Sequence, residues 1–126
     1  MCSSDLAAST SAKENATEKE TYIAGDVADV EAAVSAANIG GLGVGTRAPT
    51  PNTTLIVDPP ATGLSVNVRN AILDLAPTTL IYVSCNPATL ARDLKELHEK
   101  FTINSVTPLD MFPQTAEIEI VVHLHA

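Results

Sequence analysis

The sequence predicts an open α/β fold, with a mostly parallel sheet covered by helices and an antiparallel hairpin at its C-terminal edge. Two short runs, 53–57 (TTLIV) and 79–84 (TLIYVS), are nearly all apolar or β-favouring, the composition of strands buried on both faces. Each is followed by apolar residues at helical spacing, which gives the strand-helix alternation of a parallel sheet. The chain closes with two β-type segments around a proline-bounded turn, the pattern of a hairpin.

Taken in order, residues 1–20 are rich in Ser, Thr, Ala, Lys and Glu, and Leu6 is the one large aliphatic residue after Met1. Residues 1–6 (MCSSDL) resemble a translated sequencing-adapter end, so 1–11 is expected to be disordered or artefactual. Residues 12–20 have fair helix propensity and run into a short strand, 21–26, that stops at Gly25-Asp26. Val27, Val30 and Val34 then form a one-sided helical stripe over 27–37. Residues 38–52 hold four Gly and two Pro in fifteen positions and sustain neither period, which predicts a flexible loop. The strand at 53–57 ends at Asp58-Pro59-Pro60, where two prolines remove backbone donors. A helix over 65–75 follows, with Ser65 as N-cap and Val68, Ile72 and Leu75 on one side.

After the strand at 79–84, Asn86 is placed to cap a helix with Pro87 in its first turn. Leu90, Leu94, Leu97 and Phe101 make the apolar stripe of that helix, and Arg92, Asp93, Lys95, Glu96 and Glu99 are expected on its wet face. Strands at 102–106 and 116–124 complete the chain, the latter with Ile118, Ile120, Val122 and Leu124 on one face and Glu117, Glu119, Val121 and His123 on the other.

Composition narrows the function classes. The 126 residues carry 7 Lys+Arg against 15 Asp+Glu, a formal charge of −8, which argues against this chain alone gripping a nucleic-acid backbone. Hydrophobic content of 45% excludes a wholly disordered chain. No run approaches the roughly 20 apolar residues that span a bilayer, so a soluble, intracellular and cytoplasmic protein without a membrane partner is expected. Two cysteines, Cys2 and Cys85, build neither a disulfide framework nor a zinc site, and His98, His123 and His125 have no ligand spacing; no metal is expected.

In open α/β folds ligands sit beyond the carboxyl ends of the strands, and Asp26, Asp58 and Ser84-Cys85-Asn86 all fall at such ends. Cys85 lies between a buried strand and a helix N-terminus, whose partial positive charge suits a nucleophilic sulfur. The alternative is a small residue packed at a strand end, since free cysteines are commonly buried. The Asp58-Pro59-Pro60 turn is equally open to two readings: a rigid mount for a carboxylate, or an ordinary strand stop.

Residues 82–94 (YVSCNPATLARDL), preceded by Asp58-Pro59-Pro60 and Gly63-Leu64 and followed by 110–115 (DMFPQT) and Glu119, resemble the carboxyl-terminal part of the S-adenosylmethionine-dependent RNA uracil-5 methyltransferases. Three motifs stand in order and at matching spacing, with weaker similarity back to Ser11 and a poor match over 38–52.

The resemblance implies a truncated, Rossmann-like class I methyltransferase fold and a 5-methyluridine-forming activity on transfer or ribosomal RNA, as part of a longer enzyme. It implies S-adenosylmethionine as cofactor, Cys85 as the nucleophile that adds to uracil C6, and Glu119 as the base that takes the C5 proton. Asp58 would sit beside cofactor and target base, Asp26 would be a second cofactor contact, and the uridine would leave its stack to be reached.

Two departures accompany it. Ala61 and Glu117 stand where the family commonly has arginine and histidine. The first strand, the Gly-containing cofactor loop and the ribose-binding acid of such enzymes would precede Ala12, where eleven residues stand. Amino-terminal RNA-binding regions and a cysteine cluster for an iron-sulfur centre have no counterpart either. Residues 12–126 are therefore expected to be part of a catalytic domain, from a truncated gene or gene model. Two other classes compete: an inactive relic of the same fold, and an amino-group methyltransferase that uses the Asp-Pro-Pro turn without Cys85 or Glu119. A thiol hydrolase is the weakest, since no pattern ties a histidine to Cys85.

Overall fold

The computed structural model describes residues 53–126 and the helical, exposed Glu14. The segment 1–11, the rest of the helix expected at 12–20, the strand at 21–26 with Asp26, the helix at 27–37 and the loop at 38–52 lie outside the described residues.

The described elements are β1 (Thr54–Val57), α1 (Val66–Leu75), β2 (Thr79–Ser84), α2 (Pro87–Leu97), β3 (Thr102–Leu109) and β4 (Glu119–His125). They form a four-stranded mixed sheet in the order β1-β2-β4-β3. β1 and β2 run parallel, with Val57 opposite Tyr82. β4 lies antiparallel between β2 and β3, so the C-terminal hairpin forms at the sheet edge as its sequence pattern predicts. No helix among the described residues is long and apolar enough to cross a membrane.

Local chemistry accounts for the element ends. The Ser65 side chain accepts a hydrogen bond from the Val68 amide and starts α1. At the other end Ala76 adopts the left-handed conformation (φ 42°) and returns its N–H to the Ile72 carbonyl, while Lys100 Nζ donates to the Leu73 carbonyl at 2.7 Å. Asn86 caps α2 by accepting from the Ala88 and Thr89 amides, and Pro87 fills the first turn, where its missing donor costs nothing.

The core lies between one sheet face and the two helices. Leu80 and Tyr82 of β2 and Val122 and Leu124 of β4 pack with Val68 and Ile72 of α1, Leu90 and Leu97 of α2, and with Leu64 and Phe101, all buried. Burying each such side chain contributes about 1.5–3 kcal/mol. Ile118 and Ile120, on the same predicted face, are half-buried near the strand start.

The structure corrects the sequence-based expectations at five places. β1 is not buried on both faces: its side chains alternate between exposed and half-buried, with Ile56 66% exposed. Asp93 is not on the wet face of α2: it is fully buried. Helix α2 ends at Leu97, and Phe101 reaches the core from the turn that follows, with its N–H on the Leu97 carbonyl. β3 extends through Pro108 to Leu109, which an edge strand permits because a proline there forfeits no ladder bond on its open side. β4 begins at Glu119 rather than at 116, because turn bonds within 112–117 hold the preceding residues out of the ladder.

Candidate active site

Strand register assembles the site. Ser84, the last residue of β2, pairs with Ile120, so Cys85 and Glu119 are the next positions outward on neighbouring antiparallel strands, although 34 residues separate them in sequence. β1 runs parallel to β2 and ends one residue before Asp58, bringing that carboxylate to the same end of the sheet. Leu109 pairs with Glu119, which adds the 110–118 loop with its exposed Met111 and Phe112.

Cys85 is exposed, so packing does not account for it. The backbone around it is fixed on both sides. The buried Ser84 hydroxyl donates to the Asn86 carbonyl and accepts from the Asn86 amide, each at 3.1 Å, and Thr89 Oγ1 donates to the same carbonyl at 3.2 Å. A thiol is thus presented at the entry to α2 by a strand end and a capped helix. Glu119 is half-buried at the start of β4, whereas Asp58 is exposed directly after β1. The 110–118 loop is braced by Thr115, whose Oγ1 donates to the Phe112 carbonyl at 2.7 Å and accepts from the Glu117 amide.

Behind this rim lies a polar cluster that sequence reasoning missed. Asp93 Oδ2 accepts from the Leu64 amide and from the Tyr82 hydroxyl, both at 2.7 Å. Its Oδ1 accepts from Arg69 Nη1 at 3.0 Å and from Arg92 Nε and Nη2 at 2.9 and 2.8 Å. Arg69 also pairs with Glu96 and donates to the Leu64 carbonyl. The two arginines are balanced by two carboxylates, and no buried side-chain polar atom among the described residues lacks a partner. Burial alone would raise the Asp93 pKa; hydrogen bonds from Tyr82, Leu64 and Arg92 outweigh it and hold the carboxyl below the ordinary aspartate range. Burial, and then the Asp93 hydrogen bond and charge, push the Tyr82 phenol well above its usual range. The signal for Asp93 was present in the sequence, because position 93 falls between Leu90 and Leu97 at steps of three and four, on the apolar stripe itself.

Among the described residues no group of three or more His, Cys, Asp or Glu is placed to hold a metal ion. The site is instead an exposed thiol, a nearby half-buried carboxylate and an exposed carboxylate on a proline-stiffened turn. Residues 50–126, more than half of the chain, match the profile of the tRNA (uracil-5-)-methyltransferase family. The chain belongs to that family. An uncharacterized RNA methyltransferase of Listeria monocytogenes serotype 4b is 51% identical over 70 residues, which cover 56% of this chain and 15% of that protein. One from Bacillus cereus is also 51% identical over 70 residues, with 55% and 15% covered. The crystal structure of the Pyrococcus abyssi tRNA (uracil-54, C5)-methyltransferase in complex with S-adenosyl-L-homocysteine is similar at 44% identity and a TM-score of 0.53, over 56% of this chain and 18% of that one. The matched stretch spans less than a fifth of the length of each of these relatives.

Proposed function

We propose that this chain carries the nucleophile and base of an S-adenosylmethionine-dependent RNA uracil-5 methyltransferase, acting on transfer or ribosomal RNA inside the cell as part of a longer enzyme. The observation that carries the proposal is the β2–β4 register, which sets the exposed Cys85 beside Glu119 at the sheet end where β1 delivers Asp58. Those residues suit a cationic methyl donor: the exposed Asp58 carboxylate and the carbonyls of a turn with two prolines are acceptors, not competing cations. When bound, S-adenosylmethionine supplies an electrophilic methyl group.

Uracil C5 is a weak nucleophile, and this chain's residues solve that problem covalently. The Cys85 thiolate adds to C6, forming a carbon–sulfur bond and moving the C5–C6 π electrons toward C5 and O4. C5 would then take the methyl group as the donor's sulfur–methyl bond breaks, its electron pair remaining on the sulfur of the departing neutral thioether. Glu119 removes the remaining C5 proton, the electron pair restores the C5–C6 double bond, and the sulfur leaves with the electrons of the carbon–sulfur bond. Asp58 orients donor and base from the β1 end. Asp26 is kept in this reading as a further cofactor contact.

RNA containing 5-fluorouridine tests the proposal, because fluorine at C5 cannot be removed as a proton is. In the longer enzyme that carries this segment, with S-adenosylmethionine, a denaturation-stable protein–RNA complex is expected, absent in Cys85→Ala. A folded longer enzyme that forms none, or whose RNA methylation is unchanged by Cys85→Ala, would instead support a non-catalytic relic, the reading favoured by Ala61 in place of the family's arginine.

A further inference from the structure

The side chains of α2 hydrogen-bond to the backbone of Ala61, Thr62 and Leu64. Thr89 Oγ1 donates to the Ala61 carbonyl at 3.0 Å. Arg92 Nη2 donates to the Thr62 carbonyl at 2.9 Å and to the Leu64 carbonyl at 3.4 Å, and Asp93 accepts the Leu64 amide. Gly63 lies so close that a Cβ built on it would stand 2.6 Å from Asp93 Oδ2 and 2.7 Å from Arg92 Nη2. The same stretch is tied back to the Asp58-Pro59-Pro60 turn, since the Gly63 amide donates to the Pro60 carbonyl at 2.8 Å. Thr89, Arg92 and Asp93 therefore join the segment that carries Asp58 to the helix whose first residues follow Cys85.

We infer that Arg92, with Thr89 and Asp93, is a positioning residue that fixes Asp58 relative to Cys85 through the 61–64 backbone. The inference rests on the methyltransferase reading given above. None of the three needs to touch substrate. Their partners are mostly backbone atoms, so the clamp works regardless of the side chain at position 61. Arg92 is the informative residue to remove, because its side chain is half-exposed and Arg69 still pairs with Asp93 without it.

The test compares the wild-type longer enzyme that carries this segment with its Arg92→Ala variant, and with Thr89→Val as a second, milder variant, both verified as folded by circular dichroism. Two readouts are taken: hydrogen exchange at the Leu64 amide, and the rate of the 5-fluorouridine adduct as a function of S-adenosylmethionine concentration. Arg92→Ala is expected to speed Leu64 exchange and to raise the half-saturating cofactor concentration by about tenfold, the weakening that the loss of about one hydrogen bond produces. The maximal rate and the alkylation of Cys85 by iodoacetamide stay near wild type, and Arg92→Lys recovers part of the loss. A fall in maximal rate with unchanged half-saturation, or unchanged Leu64 exchange, overturns the inference and leaves the methyltransferase reading standing. A wild-type longer enzyme that forms no adduct overturns both.

Discussion

The Tyr82 hydroxyl donates to Asp93 Oδ2 at 2.7 Å with both side chains buried, so the central strand and the helix that follows it are joined by a charge-assisted hydrogen bond inside the core. Tyr82→Phe removes that donor and leaves the carboxylate with its arginine and amide partners. A loss of about 1.5–3 kcal/mol is expected, the usual size for a hydrogen bond to a charged group, measured by urea denaturation.

Asp93→Ala strands two arginines in and around the core and frees the Leu64 amide. Breaking a buried ion pair from one side costs about 3–5 kcal/mol, which for a domain of this size is a large share of the total. The thermal midpoint of Asp93→Ala is expected far below that of Tyr82→Phe. Equal midpoints would mean that the arginines contribute nothing.

Stability has a defined pH response. The folded-state Asp93 pKa lies below its unfolded value, so its contribution is complete above the unfolded value near 4 and is lost as pH falls through the lower folded one. The Tyr82 phenol is shifted upward, so its contribution is complete below about 10 and is lost only as pH climbs through the raised folded value. Denaturation midpoints followed from pH 2 to 11 are expected to fall on the acid side, and that slope should be shallower in Asp93→Asn.

Two substitutions at left-handed positions should act with opposite signs. Ala76→Gly relieves φ 42° at the end of α1 and is expected to stabilise by about 0.5–1 kcal/mol. Gly63→Ala imposes φ 76° on a residue with a side chain and drives a Cβ against Asp93, and is expected to destabilise by about 1–3 kcal/mol. Chemical denaturation of both variants checks the pair.

At the candidate base, Glu119→Gln removes the acceptor for the C5 proton while leaving Cys85 intact. The expected result is a protein–RNA adduct that accumulates on ordinary uridine RNA in the presence of S-adenosylmethionine, where the wild type releases its product. Mass spectrometry of the denatured complex reads it.

Much of this was legible in the sequence for a physical reason: period and punctuation are local. Ser65, Asn86 and Pro87 announce their helices because capping acts within a few residues, and TLIYVS declares a buried strand by composition alone. Cys85 is proposed as the nucleophile on the family resemblance of residues 82–94, since its local context alone left a packed strand-end residue open. Asp93 was misplaced because its partners, Leu64, Arg69 and Tyr82, come from three other parts of the chain, and no local pattern shows that a carboxylate at an apolar stripe position will meet them. The extension of β3 through Pro108 was hidden similarly, since only the sheet order reveals that this strand lies at the edge among the described residues.

The pairing of β4 with β2 also separates two kinds of sequence change. Because Val122 and Leu124 are fully buried on the strand that begins with Glu119, a slip of one residue would turn both toward the opposite face and carry the carboxylate with them. The core therefore meters the position of Glu119, and the 110–118 loop does not. Residues can be gained or lost between Asp110 and Ile118 while the carboxylate stays in step with Cys85, but a single insertion between Glu119 and Val122 would separate the two at once.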